Sequence, residues 1–385
     1  MKAVSIFILG FFAIWLGAGC SSNAGSPQTK SGLKRERFQR VVNGDSTDLF
    51  FLTNTRGMEV CITNYGGRVV SLMVPDTEGV FRDVVLGFDD VDEYLAMPSS
   101  FGATVGRYAN RIANGQFVLD GDTIQLDVNS GPHTIHGGRK GWQYQVFDAD
   151  QPADSVLVLS YLSPDGESGF PGNVSVTVTY TVTDRNELLI AYEAQTDRKT
   201  VINMTNHSFF NLSGDPSSTV LEDELYVNAD QFTPLDATLV PTGDISPVRA
   251  TPFDFTDPTL IGNAVARDTA HEQVKFAQGI DHNFVLNTKG DIRQLAARLR
   301  SPKSGIVLEV YSDQPGMQVY TGNMLDGSRT GKSGKRYGRH AAVCLETQHY
   351  PDSPNHPDFP STTIERGSFY RQKCIYRFSV HTSKR

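Results

Sequence analysis

Val174-Ser-Val-Thr-Val-Thr-Tyr-Thr-Val182 alternates without a break, placing Val174, Val176, Val178, Tyr180 and Val182 on one face of an extended chain and Ser175 with the threonines on the other. A period of two, carried by β-branched residues whose stiff χ1 suits a pleated surface, specifies a half-buried strand. The same texture continues outward in both directions. Short apolar runs at Val156–Leu162, Leu188–Glu193 and Ile306–Tyr311 predict further strands. Nearer the N-terminus, Phe117–Leu126 carries Asp120-Gly121 between two apolar runs, a two-residue hairpin signal because glycine accepts positive φ. Helical periodicity is scarce, and the best window, Asp291–Arg300, reads as a strand entering a turn at Ser301-Pro-Lys-Ser-Gly305. Many strands punctuated by glycine and proline predict an all-β fold, a large antiparallel β-sandwich in which inward side chains of one broad sheet converge on a cleft.

From about Gln39 onward no linker, repeat or low-complexity break interrupts this pattern, so a single domain over 39–385 is expected. Apolar residues make up 39% of the 385-residue chain, enough for a sizeable core and too many for global disorder. The net charge of −8 argues against phosphate-neutralising nucleic-acid binding. Lys2 followed by the apolar stretch Val4–Leu16 has the form of a secretory leader, too short to span a bilayer stably. It ends in Gly17-Ala-Gly-Cys20, which resembles the lipobox of bacterial lipoproteins, although Gly17 stands where leucine is favoured. The implied arrangement is a signal peptide over 1–19, acylated Cys20, a flexible tether over 20–38, and a lipid-anchored protein of the periplasm or cell surface. Cys61, Cys344 and Cys374 remain, an odd set without C-x-x-C spacing, so they read as buried thiols rather than a disulfide framework or a zinc site.

Five segments concentrate polar residues among glycines and aromatics: Gly106–Ile112, His133–Gly138, Asn206–Leu212, Gly279–Phe284 and Leu345–Asp352. Planar amides, carboxylates and arginine forks satisfy several sugar hydroxyls at once, and aromatic faces pack against the ring, so this inventory suits a monosaccharide pocket. Taken alone, His207 reads first as a satisfied core or surface histidine, and Asp281 with Arg111 reads equally as a structural ion pair. His133 and His136 have a spacing that could ligate a metal, but no cysteine or second histidine pair completes a set, so no metal is expected. Glu346 is different. It follows Val343-Cys-Leu345 in an apolar strand, and burying a carboxylate costs several kcal/mol unless it is paired or used.

Glu346-Thr-Gln-His-Tyr-Pro-Asp-Ser-Pro-Asn355, together with Asn206-His-Ser-Phe-Phe-Asn-Leu-Ser-Gly214, closely resembles the galactose mutarotases, or aldose 1-epimerases, and the order of all five segments matches as well. The resemblance runs from roughly Gly66 to Phe378 and implies a β-supersandwich. It implies that Glu346 is the general base and His207 the general acid, bracketing one pyranose. It further implies that His136 and Arg111 lie near the ring oxygen, that Asp281 holds sugar hydroxyls, and that Asn110 and Gln318 make lesser contacts. Phe209 stands where the family often carries tyrosine. The implied reaction interconverts the α and β anomers of a free aldose. Ordinary pKa values leave the glutamate ionised and the histidine partly protonated at neutral pH. No hydride, electron or metal-bound water is involved, so no cofactor is implied, and the expected state is a monomer.

Three other readings share parts of this inventory. A non-catalytic sugar-binding lipoprotein on the same scaffold needs no Glu–His pair. A glycosidase would use two carboxylates such as Glu346 and Asp281. A hexose-6-phosphate epimerase would gather cations for the phosphate, and of the motif residues only Arg107 and Arg111 are expected near the pocket.

Overall fold

The computed structural model describes residues 29–266 and 271–381. Its largest sheet has nine antiparallel strands, in the spatial order Asp148–Ala153, Val156–Ser163, Val174–Thr183, Glu187–Thr196, Phe369–Val380, Ile306–Ser312, Ala297–Arg300, Glu224–Val227 and Thr259–Leu260. The alternating segment lies inside it. Val174, Val176, Val178, Tyr180 and Val182 are all buried in the main core, while Ser175 on the other face is exposed. Burying each such apolar side chain contributes about 1.5–3 kcal/mol, which makes the core the main determinant of strand register.

Across the core lies a six-stranded antiparallel sheet, ordered Phe209–Phe210, Val343–Gln348, Gly316–Tyr320, Asp281–Val285, Gln231–Phe232 and Ser246–Pro247. A four-stranded sheet, Leu49–Thr53, Glu59–Thr63, Arg68–Pro75 and Phe81–Asp83, joins through a second apolar cluster. Asp120 and Gly121 both adopt positive φ, at 51° and 89°, and close the expected hairpin with Leu119 opposite Asp122. The Asp291–Arg300 expectation is half right. Only Ala297–Arg300 is strand, because Asp291 Oδ1 accepts from the Arg293 amide and the Asp291 carboxylate also receives the Arg293 guanidinium, holding the first residues in a turn.

The tether expected over 20–38 is too long at its C-terminal end. Leu33 and Phe38 are buried against Leu49, Cys61 and Val70, and the Lys30 amide donates to Glu59 Oε1 at 2.8 Å, so apolar burial ties the chain down from Thr29 onward. The expected signal peptide and Cys20 lie outside the described residues. Cys61, Cys344 and Cys374 are free and buried, as expected.

Candidate active site

The floor of the site follows from strand register. Glu346 pairs with Gln318, and Gln318 with Asn283, while the adjacent row runs Phe209, Cys344, Tyr320, Asp281. Directly opposed residues share a face, so these side chains all project from one side of the six-stranded sheet. The intervening Val343, Leu345, Met317, Val319 and Phe284 point the other way into the main core. That core anchors the strands on which the polar row sits.

His207 arrives on a separate short strand, Thr205–His207, paired with Ala103–Val105. Its Nε2 lies 3.5 Å from Glu346 Oε1, and the two residues are 6% and 2% exposed. The imidazole stacks on Phe209 with ring centroids 4.9 Å apart and planes 16° from parallel, and meets the His136 ring edge-on at 5.2 Å. Phe209, the departure from the family pattern, therefore packs as a plate behind the imidazole.

His136 is held by the neighbouring segment. Its Nδ1 accepts from the Asn110 amide at 3.2 Å, its own amide donates to Asn110 O, and Ile135 pairs with Arg111. Gly137, at φ 77°, makes this approach feasible, since a Cβ there would sit 2.1 Å from Gly106 O. The Asp352 amide donates to Arg111 O, and Asp352 Oδ1 accepts from the Ala113 amide at 2.9 Å. The second half of the Glu346 motif thus fastens the arginine-bearing segment. Neither His133 nor His136 offers Nδ1 to a metal, because the Asn114 and Asn110 amides already occupy these lone pairs.

Burial sets the electrostatics. It pushes the His207 imidazole down to about 4 and lifts the Glu346 carboxyl well above its usual range, the latter reinforced by the nearby Asp281. This overturns the expectation of ordinary titration: both groups are driven toward their neutral forms. Burial also raises Asp281, against the opposing pull of Arg111 and of a 2.7 Å hydrogen bond from Gln318 Nε2. Asp281 and Arg111 form no ion pair within 4 Å among the described residues. Glu346 Oε2, His207 Nδ1, Gln318 Oε1 and Arg111 Nε are buried and find no protein partner.

A cavity of about 290 Å³ opens above this row, lined by Asn110, Arg111, His136, His207, Asp281 and Glu346 and walled by Phe101, Phe209 and Tyr320. Gln318 lies beneath it, bonded to Asp281. Arg107 is elsewhere, its guanidinium bound to Pro171 O, Gly172 O and Ser163. The sequence reading missed the rim residues Leu239, Met324 and Arg329. It also missed Arg68, fully buried, which donates to Ser99 O and Phe101 O and so holds one wall. A lone arginine among apolar strand residues, Gly67-Arg68-Val69, was the available signal.

The sequence pattern of the aldose 1-epimerase family matches residues 48–377. The chain belongs to that family. It is 42% identical to galactose mutarotase of Sus scrofa over 90% of its own length and 98% of the relative's, and 40% identical to that of Homo sapiens over 91% and 99%. The crystal structure of an aldose epimerase homologue from C. elegans superposes with a TM-score of 0.81 at 33% identity, covering 87% of this chain and all of that one. The β-supersandwich and the isomerase reading, interconversion of aldose anomers, stand accordingly, and the sugar-binding lipoprotein alternative is not favoured. The expected lipid-anchored, periplasmic or cell-surface location is overturned. Relatives matched over 98% and 99% of their length include the mammalian galactose mutarotases of Sus scrofa and Homo sapiens, which are not named as lipoproteins.

Proposed function

We propose that Glu346 is the general base and His207 the general acid that open and reclose the ring of a galactose- or glucose-like aldose. The C1 hydroxyl gives its proton to the Glu346 carboxylate while the imidazolium protonates the ring oxygen. The bond from C1 to the ring oxygen breaks and the C1 carbonyl forms. Rotation about C1–C2 presents the other face of the carbonyl, and the same two groups run the steps in reverse to give the other anomer. The observation that carries this reading is the 3.5 Å approach of His207 Nε2 to Glu346 Oε1 at the base of a cavity of about 290 Å³. The two oxygens that exchange protons share carbon C1, so an acid and a base that lie side by side suit them better than groups on opposite sides of the ring.

The chemistry requires the pair to hold one proton in total. With both groups driven toward neutrality that proton rests on the carboxyl, and its transfer to the imidazole creates the reactive carboxylate and imidazolium together. Sugar hydroxyls donating to the unpartnered Glu346 Oε2 favour that transfer. Asp281, oriented by Gln318, accepts from other hydroxyls; Arg111, Asn110 and His136 line the side that receives the ring oxygen. Every one of these groups lies within the domain expected over 39–385, so the proposed site asks for no residue of a second copy.

Replacing Glu346 by glutamine tests the assignment by polarimetry of fresh α-D-galactose and α-D-glucose. A positioned base contributes about 10²- to 10⁴-fold, and a loss of that size with the fold intact is expected. Turnover within a few-fold of the unmodified enzyme removes Glu346 from the chemistry.

A further inference from the structure

The strand that holds Glu346 also presents a thiol on the same face. Cys344 precedes it by two residues on the same face of the strand, and one donor atom from each of Cys344, Glu346 and His207 lies within 4.8 Å of the other two. A sulfur, an imidazole nitrogen and a carboxylate oxygen form the mixed donor set that a borderline-soft divalent cation takes. Zinc bonds of about 2.0 Å to nitrogen and oxygen and about 2.3 Å to sulfur imply ligand–ligand edges of roughly 3.3–3.7 Å in a tetrahedron. The 3.5 Å between His207 Nε2 and Glu346 Oε1 already has that length. The longest edge of the trio needs to close by only about 1 Å, within reach of a side-chain adjustment. Glu346 Oε2 is buried without a protein partner, so the carboxylate keeps an unused oxygen. His207 and Glu346 line the cavity whereas Cys344 is fully buried, so a cation held by the trio is reached from the cavity on the side of the first two.

We propose that Cys344, Glu346 and His207 form an inhibitory site for a thiophilic divalent cation such as Zn²⁺, with the fourth position open to the sugar cavity. As the metal binds, the Cys344 S–H bond and the Glu346 carboxyl O–H bond both break and the two protons leave to solvent; the thiolate, the carboxylate and the neutral His207 contribute lone pairs, and no group is oxidised or reduced. Asp281, which faces the same cavity, adds negative potential that favours the cation. Bound metal occupies both groups assigned above to proton transfer, so it excludes turnover; that consequence rests on the proposed catalytic roles, whereas metal binding does not.

Co²⁺ added to the full chain reads binding without reference to turnover, because thiolate coordination gives an intense charge-transfer absorption. The expected result is such a band in the unmodified protein, absent in Cys344→Ala and displaced by saturating galactose. Zn²⁺ is expected to raise the apparent KM for α-D-galactose without lowering kcat, and Cys344→Ala to need at least ten times more Zn²⁺ for the same inhibition at unchanged basal rate. No thiolate band in the unmodified protein overturns the site without recourse to any variant, and so does Zn²⁺ inhibition of equal strength in Cys344→Ala. A thiolate band that leaves turnover intact upholds the metal site and overturns the catalytic assignment instead.

Discussion

Lowering pH probes the proton held by the buried pair. With one proton between them the two groups supply a base and an acid, and a second proton removes the base. That second proton goes to His207, whose imidazole burial holds down to about 4. The acid limb of kcat/KM, which reports the free enzyme, is therefore expected near pH 4. At pH 5.5 a group with pKa 4 is about 97% unprotonated, whereas an ordinary histidine near 6.5 is only about 9% so. Activity at pH 5.5 should stay close to its value at pH 7, after subtracting spontaneous mutarotation in a polarimeter. The alkaline limb, where the last proton leaves, should lie well above the usual carboxylate range because burial and Asp281 both raise Glu346. Circular dichroism at each pH separates titration from unfolding. A tenfold fall in kcat/KM by pH 5.5 with the fold intact means that the imidazole titrates as if exposed, and the buried-pair reasoning is wrong.

Other consequences of the same geometry can be checked. Glu346→Gln should melt higher than the unmodified protein at pH 7, since a carboxyl raised by burial favours the fold only at low pH and that contribution is lost as pH rises; an unchanged or lower melting temperature contradicts this. Gln318→Met deletes the 2.7 Å donor to Asp281, and because hydrogen bonds to charged groups contribute about 1.5–3 kcal/mol, KM should rise about tenfold or more with kcat little changed. A fall confined to kcat would place Gln318 in the transition state instead. His282, held down to about 3 by burial, stays neutral in the fold but protonates near 6.5 when unfolded, so its share of stability is present above about pH 6.5 and is lost as pH falls toward 3. Between pH 7 and 5 that share is about 2 kcal/mol. Asp223, raised to about 7 by burial, acts in the opposite sense, so the test is the difference between the unmodified protein and His282→Gln in urea melts at the two pH values. Equal pH slopes would refute it.

Strand identity was legible wherever one face met the core and the other met solvent, as in Val174–Val182 and the Asp120-Gly121 hairpin. It failed at Asp291–Ala296, where an aspartate side chain bonding to nearby amides overrode an ambiguous pattern. The packed segment Thr29–Phe38 was hidden because its two anchoring apolar residues, Leu33 and Phe38, are spaced among charges. The site was legible as separate motifs, but its titration was not. Reference pKa values describe groups in water, and only the fold reveals that Glu346 and His207 lie 2% and 6% exposed and face each other. The surroundings of Cys344 were hidden in the same way: the sequence shows a buried thiol, and only cross-strand register aligns it with Phe209 and Tyr320 on the face that carries Glu346.

One sheet face carries both the proposed chemistry and its proposed vulnerability. A carboxylate buried at 2% exposure with one oxygen unpartnered costs several kcal/mol, and the apolar face of the same strands, Val343, Leu345, Val319 and Met317, offsets that cost by anchoring the backbone in the core. In the proposed mechanism the unsatisfied oxygen is where a sugar hydroxyl changes the proton's position within the pair. The same unsatisfied oxygen, beside a thiol fixed two residues away, is what a cation would take. A substitution that satisfied Glu346 with a permanent protein donor should therefore weaken sugar turnover and metal binding together, whereas Cys344→Ala should separate them.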